Sequence, residues 1–102
     1  MAYVDPKTVD SPRAHWKLIE VLRNGERDGQ GEDDAALAIG EWDGVRRLAM
    51  RWNGSGKGPG VGNPQSRGVA TWFVLPKWMD DVVLESDVIP EPKRVLAKAL
   101  MR

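Results

Sequence analysis

Asp43-Gly44, set between the apolar run Ala36-Leu37-Ala38-Ile39-Gly40-Glu41-Trp42 and the run Val45–Trp52, constrains this chain more than any other feature. An Asp-Gly or Asn-Gly pair between two such runs marks a two-residue hairpin turn, because both central residues of a type I′ turn need positive φ. A second unit of the same kind, Trp52-Asn53-Gly54, follows Trp42-Asp43-Gly44 at a strand-plus-turn spacing. Val69-Ala70-Thr71-Trp72-Phe73-Val74-Leu75 is rich in β-branched and aromatic residues and is stopped by Pro76, so it reads as a third strand. The centre of the chain is therefore expected to be an antiparallel meander.

Residues 11–25 admit two readings. Ser11-Pro12 fits a helix start, Asn24-Gly25 a helix end, and Trp16, Ile19 and Leu22 recur at helical spacing. Leu18-Ile19-Glu20-Val21-Leu22 running into Asn-Gly is equally a strand entering a turn. The strand is preferred, since three strands alone would leave a poorly covered edge. Beyond the third strand, Trp78, Met79, Val82 and Val83 share one helical face, and Pro92 opens a second helix with Val95, Leu96, Ala99 and Leu100 in phase. The expected fold is α+β: a small antiparallel β-meander of three to four strands covered by two short C-terminal helices. A chain of 102 residues makes one domain, with residues 1–10 expected as a flexible tail and 53–68 as a long glycine-rich loop.

Composition removes several classes of chemistry. With no cysteine, disulfide frameworks, thiolate metal sites and a cysteine nucleophile are excluded, and a single histidine, His15, excludes a histidine-based zinc cluster. His15 reads as a packed or capping residue. No serine stands in a nucleophile-elbow context, and Glu32-Asp33-Asp34 and Asp80-Asp81 lack the spaced oxygens and sharp glycine turn of a calcium loop. Asn53-Gly54-Ser55 fits a glycosylation acceptor but has no secretory signal before it. No run approaches the roughly 20 apolar residues that span a bilayer. A cytoplasmic, non-catalytic protein without a cofactor or membrane partner is the expectation.

The net charge is zero, but the charges are segregated. Residues 20–43 carry −6, residues 44–77 carry +6 with no acid at all, residues 78–91 carry −5 and residues 92–102 carry +4. Such blocks give strong local fields in a neutral molecule. The candidate binding residues all lie in the basic block: Arg46, Arg47, Arg51, Trp52, Lys57 and Arg67. Strand alternation puts Arg46, Leu48, Met50 and Trp52 on one face and Val45, Arg47, Ala49 and Arg51 on the other. Arg47 and Arg51 would thus form an exposed pair able to contact phosphate, or would pair with Glu41 or Glu20 across the sheet. Trp42 and Trp52 are candidates for stacking on bases, whereas Trp72 and Trp78 read as core.

The glycine-rich loop lacks the letters of a phosphate-binding P-loop. Gly56-Lys57 has Arg51 where the first glycine should stand and Gly58 where a hydroxyl should follow, and no Gly-x-Gly-x-x-Gly register exists there. Two functional readings remain. One is a protein-interaction or regulatory module, as a homodimer docking the acidic block of one subunit on the basic block of the other, or pairing through an open sheet edge. The alternative is a weak nucleic-acid-binding module using the phosphate contacts of residues 44–77.

The segments Trp42-Asp43-Gly44, Arg51-Trp52-Asn53-Gly54, Gly62-Asn63-Pro64-Gln65-Ser66-Arg67-Gly68 and Thr71-Trp72-Phe73-Val74-Leu75-Pro76 resemble a group of small bacterial proteins to which no activity is attached. The resemblance implies a bacterial origin and a mobile-element or accessory-gene setting. It brings no cofactor and no catalytic residue.

Overall fold

The structure, a computed structural model, describes residues 4–25, 35–54 and 61–102. Strands β1 (Trp16–Arg23), β2 (Ala35–Trp42), β3 (Val45–Trp52), β4 (Gln65–Ser66), β5 (Val69–Ala70) and β6 (Phe73–Val74) precede helices α1 (Asp80–Leu84) and α2 (Glu91–Met101). Single 3-10 turns lie at Pro6–Thr8 and Lys77–Met79. The main sheet has the antiparallel order β1-β2-β3-β6, and β4 and β5 form a separate ribbon. This is the expected α+β meander with two short C-terminal helices, and residues 16–23 take the strand reading.

Asp43 (φ 51°) and Gly44 (φ 85°) both adopt positive φ, so the β2–β3 turn has the backbone that its sequence demands. Arg67 (φ 52°) and Gly68 (φ 80°) close the β4–β5 hairpin in the same way. Asn53-Gly54 does not join two strands. Trp52 pairs instead with Asn63, through hydrogen bonds of 2.7 and 2.9 Å, so the glycine-rich loop leaves and re-enters the sheet at one point. The expected third strand over 69–75 is broken into β5 and β6. Its break has a local cause: the Thr71 amide donates to the Pro64 carbonyl and the Thr71 carbonyl accepts from Arg51, which takes residue 71 out of both ladders.

Both faces of the sheet are covered. On one side Leu22, Leu37, Ile39 and Leu48 pack against Leu75, Val83, Leu84, Ile89 and Ala97. The other side is built from small residues, Ala36, Ala38 and Ala49, which leave room for Trp16, Val21, Trp72 and Val9. Central strand β2 is buried on both faces, which explains its nearly continuous apolar sequence. At Gly40 the Trp16 ring lies so close that an added Cβ would sit 2.2 Å from it. The expected tail is only partly a tail. Pro6 and Val9 are buried, the Val4 amide donates to the Asn53 carbonyl at 2.7 Å, and residues 1–3 lie outside the described residues.

The two helices expose residues that their sequence pattern assigns to the core. In α1 the inward side is Val83 and Leu84, while Trp78 stands 79% exposed and Val82 67%. In α2 the inward stripe is Ala97 with Leu100 and Met101, rotated away from the expected one, and Val95 and Leu96 face solvent. Only one side of so short a helical layer can reach the sheet.

Candidate functional site

Strand β3 holds the central arginines, and the fold uses them unequally. Arg46 is exposed at the turn end of β3, where its Nε donates to Glu41 Oε2 at 3.0 Å and its Nη1 to the Leu100 carbonyl at 2.8 Å. It ties the hairpin to the end of α2. Arg47 is half-buried on the opposite face; its Nη2 donates to the Leu75 carbonyl at 2.7 Å, and its buried Nε has no partner.

Arg51 corrects the expectation of an exposed arginine pair. It is 0% exposed and makes no ion pair with a carboxylate among the described residues. Nε donates to Asn53 Oδ1 (3.1 Å), Nη1 to the carbonyls of Thr71 (2.6 Å) and Pro64 (3.4 Å), and Nη2 to those of Trp52 (3.2 Å) and Val61. Five donors in a rigid fork suit such convergence, and a guanidinium keeps its charge even where burial lowers its pKa, as here. Asn53 is buried too and donates through Nδ2 to the Asn24 carbonyl at 2.7 Å. Arg51 therefore gathers the loop base at 61–64, residue 71 and the end of β3 into one collar. The collar fits closely: at Gly62 (φ 77°) an added Cβ would lie 2.0 Å from the Trp52 carbonyl oxygen and 2.6 Å from Arg51 Nη2.

Of the other candidates, Trp52 is 50% exposed, Arg67 is exposed in the β4–β5 turn, and Lys57 lies outside the described residues, as does the loop segment 55–60. Arg47, Arg51 and Arg67 are thus not assembled into a common surface. Trp72 is core, its Nε1 donating to the Val9 carbonyl at 2.7 Å, while Trp78 is the most exposed large apolar residue of the described chain, contrary to its expected core position. His15 stacks on Trp42 with ring centroids 5.2 Å apart, and its Nδ1 lies 2.8 Å from Asp43 Oδ1, so it braces the β2–β3 turn as a capping residue would.

The opposed charge blocks pair within the chain, but not as expected. The acidic block 78–91 is matched by α2, through Lys98–Glu85 (3.0 Å), Arg102–Asp81 (3.1 Å) and Arg94–Asp87 (3.3 Å). Hydrogen bonds from Lys98 (3.0 Å) and, more weakly, from Arg102 (3.5 Å) hold the Glu85 carboxyl below the ordinary glutamate value. Lys93 reaches Glu20 at 3.0 Å, and Glu41 pairs with Arg46 rather than with Arg47 or Arg51. The sheet edge is closed as well. β1 carries two register irregularities, the Leu18 amide donates to Asp10 Oδ1 at 3.0 Å, and the Val21 carbonyl accepts from Lys93 Nζ at 2.6 Å. Bulges and inward-turned charges are the devices that prevent edge pairing.

Two concavities are formed by the described residues. A groove of about 510 Å³ runs between the sheet and α1, lined mainly by Leu37, Met50, Leu75, Met79, Val83 and Val88, with Arg23 and Asp87 also bordering it. A depression of about 360 Å³ on the opposite face is lined by Trp42, Arg47, Pro64, Trp72, Phe73 and Val74. No cluster of three His, Asp or Glu side chains able to hold a metal occurs among the described residues, and no helix there is long and apolar enough to cross a membrane. Compared with models of known protein families, with curated proteins and with solved structures, the chain matches none.

Proposed function

We propose that the protein is a non-catalytic protein-interaction module whose contact surface is the solvent side of its helical layer, around Trp78, Val82, Val95 and Leu96. The observation that carries this reading is the outward placement of those side chains, Trp78 at 79% and Val95 at 76% exposure, on helices already held together by the ion pairs of Lys98 and Arg102. Large apolar side chains left exposed beside charged ones are the kind of surface that association covers. A second copy of the chain is the partner by which the proposal is tested. Charge-swap docking is disfavoured, because Glu20, Glu41, Asp81, Glu85 and Asp87 already have partners within the chain. Strand addition is disfavoured by the closed β1 edge.

Sedimentation velocity over a concentration series, at low and high salt, tests the proposal. Association through an apolar face survives high salt and is shifted to monomer by Trp78→Ser, with thermal unfolding little changed because the residue is exposed. A wild-type protein that stays monomeric throughout, or a dimer that dissociates in salt and ignores Trp78→Ser, refutes it. The alternative, phosphate-backbone binding by residues 44–77, keeps the exposed Arg67 and the half-exposed Trp52 as contacts among the described residues. Each neutralised phosphate contributes a slope of about 0.7–0.9 in log affinity against log salt. Retention of DNA or RNA with a slope of about 3 or more would favour that alternative.

A further inference from the structure

The depression beside Arg47 combines features that the larger groove lacks. Two tryptophans, Trp42 and Trp72, line it with Val74 and one guanidinium, Phe73 borders it where the β6 register turns its side chain to the Met50 face, and no carboxylate lines it. Two of its walls are fixed before any ligand arrives: Trp42 is stacked by His15, and Trp72 is anchored through its indole N–H to the Val9 carbonyl. Phe73 is more than half exposed at the rim. The Arg47 head is oriented by the single hydrogen bond from Nη2 to the Leu75 carbonyl, which leaves Nη1 without a hydrogen bond among the described residues. The neighbouring acids do not cancel this charge by direct pairing. Glu41 is bonded to Arg46, Asp43 to His15, and Asp80, close enough to act on Arg47 electrostatically, makes no ion pair with it. Lys77 adds a second cation near Asp80. A volume of about 360 Å³ is within the range of small-molecule sites, roughly 300–1,000 Å³.

We propose that this depression binds a planar ring bearing an anionic group, the ring lying against Trp42 and Trp72 and the anion meeting Arg47. Aromatic walls favour a flat π-system, and a guanidinium pairs with a carboxylate or phosphate through directed N–H donors. The chemistry is shared by a nucleoside monophosphate and by an aromatic carboxylate, and the two are distinguished by experiment. The site goes beyond the association surface on the helical layer and does not depend on it.

The test follows the indole N–H resonances of the full-length protein by NMR, where its five tryptophans provide both reporters and controls. The chain is titrated with adenosine monophosphate, uridine monophosphate and benzoate, and with adenosine, benzamide and inorganic phosphate. Binding shifts the resonances of Trp42 and Trp72 and leaves that of exposed Trp78 in place. Arg47→Gln weakens binding at least about tenfold, as loss of a charged hydrogen bond of some 1.5–3 kcal/mol requires. Trp42→Leu, which removes a stacking surface, weakens it about fivefold or more, whereas Phe73→Ser, whose side chain lies on the Met50 face, binds like wild type. A nucleotide or an aromatic carboxylate binding the more tightly identifies the source. The proposal is overturned if neither class moves Trp42 and Trp72 at millimolar concentration. It is equally overturned if uncharged rings bind as well as their anions, if phosphate alone binds as well as the nucleotides, or if Trp42→Leu binds like wild type.

Discussion

Replacing Arg51 by Met should destabilise the protein by about 2–4 kcal/mol. The side chain serves five acceptors from three stretches of chain: Asn53 Oδ1 and the carbonyls of Trp52, Val61, Pro64 and Thr71. Two of these have a second donor, since Trp52 also accepts from the Asn63 amide and Pro64 from the Thr71 amide. The remaining three depend on Arg51. Leaving a buried acceptor unsatisfied costs about 1–3 kcal/mol, so the gross loss is about 3–9 kcal/mol. Against it stands the relief of a buried charge that has no counter-ion among the described residues, a penalty of several kcal/mol in its own right. The net falls at and just below the lower end of the gross range, at about 2–4 kcal/mol. A domain of this size is stable by about 5–15 kcal/mol, so the variant folds and the loss is measurable by urea titration at constant m. Arg51→Lys separates geometry from charge. An ammonium has three donors on one point and cannot span acceptors on the loop base, residue 71 and the strand end. It should fall within about 1 kcal/mol of the Met variant. A Met variant within about 0.5 kcal/mol of wild type, or a Lys variant indistinguishable from wild type, would refute the collar reasoning.

Gly62→Ala should cost about 3 kcal/mol or more and Gly44→Ala only about 1 kcal/mol, although both glycines have positive φ. The difference is the Trp52 carbonyl, 2.0 Å from the added Cβ at Gly62, against open space at Gly44; equal losses by denaturant titration would contradict it. Asp80→Asn should stabilise the protein at neutral pH. Burial holds the Asp80 carboxyl above its ordinary value of 3.8, with Arg47 and Lys77 only partly opposing the rise. Between 3.8 and the raised value the folded state binds more protons than the unfolded, so wild-type stability falls as pH rises through that window and stays lowered above it. The Tm advantage of the Asn variant should therefore grow from below pH 3.8 towards pH 7, and an advantage independent of pH would count against the assignment.

The hairpin was legible because its information is local. Asp43-Gly44 needs no tertiary partner to prefer positive φ, and the runs on either side have strand composition whatever packs on them. Asn53-Gly54 carries the same local signal but does not turn, because Asn53 is held by Arg51 and Asn24, one of them 29 residues away. Alternation correctly placed Arg47 and Arg51 on one face, opposite the larger apolar residues. It misjudged what that face meets, since no periodicity announces that Val9 and Trp72 will roof the small side chains of Ala36, Ala38 and Ala49. The one available hint was negative: three alanines and a glycine on a central sheet are too small to end at water and call for large residues from elsewhere, and Trp16 and Trp72 answer them. The helices failed in the opposite sense. Their apolar stripes are wider than the surface the sheet presents, so sequence phase alone could not choose which half, Val83 or Val82, Leu100 or Val95, would be left outside. That surplus is itself a physical statement. The five-residue α1 and the turn before it gain little stability of their own from exposed Val82 and Trp78, and the association proposed above would give those side chains a use.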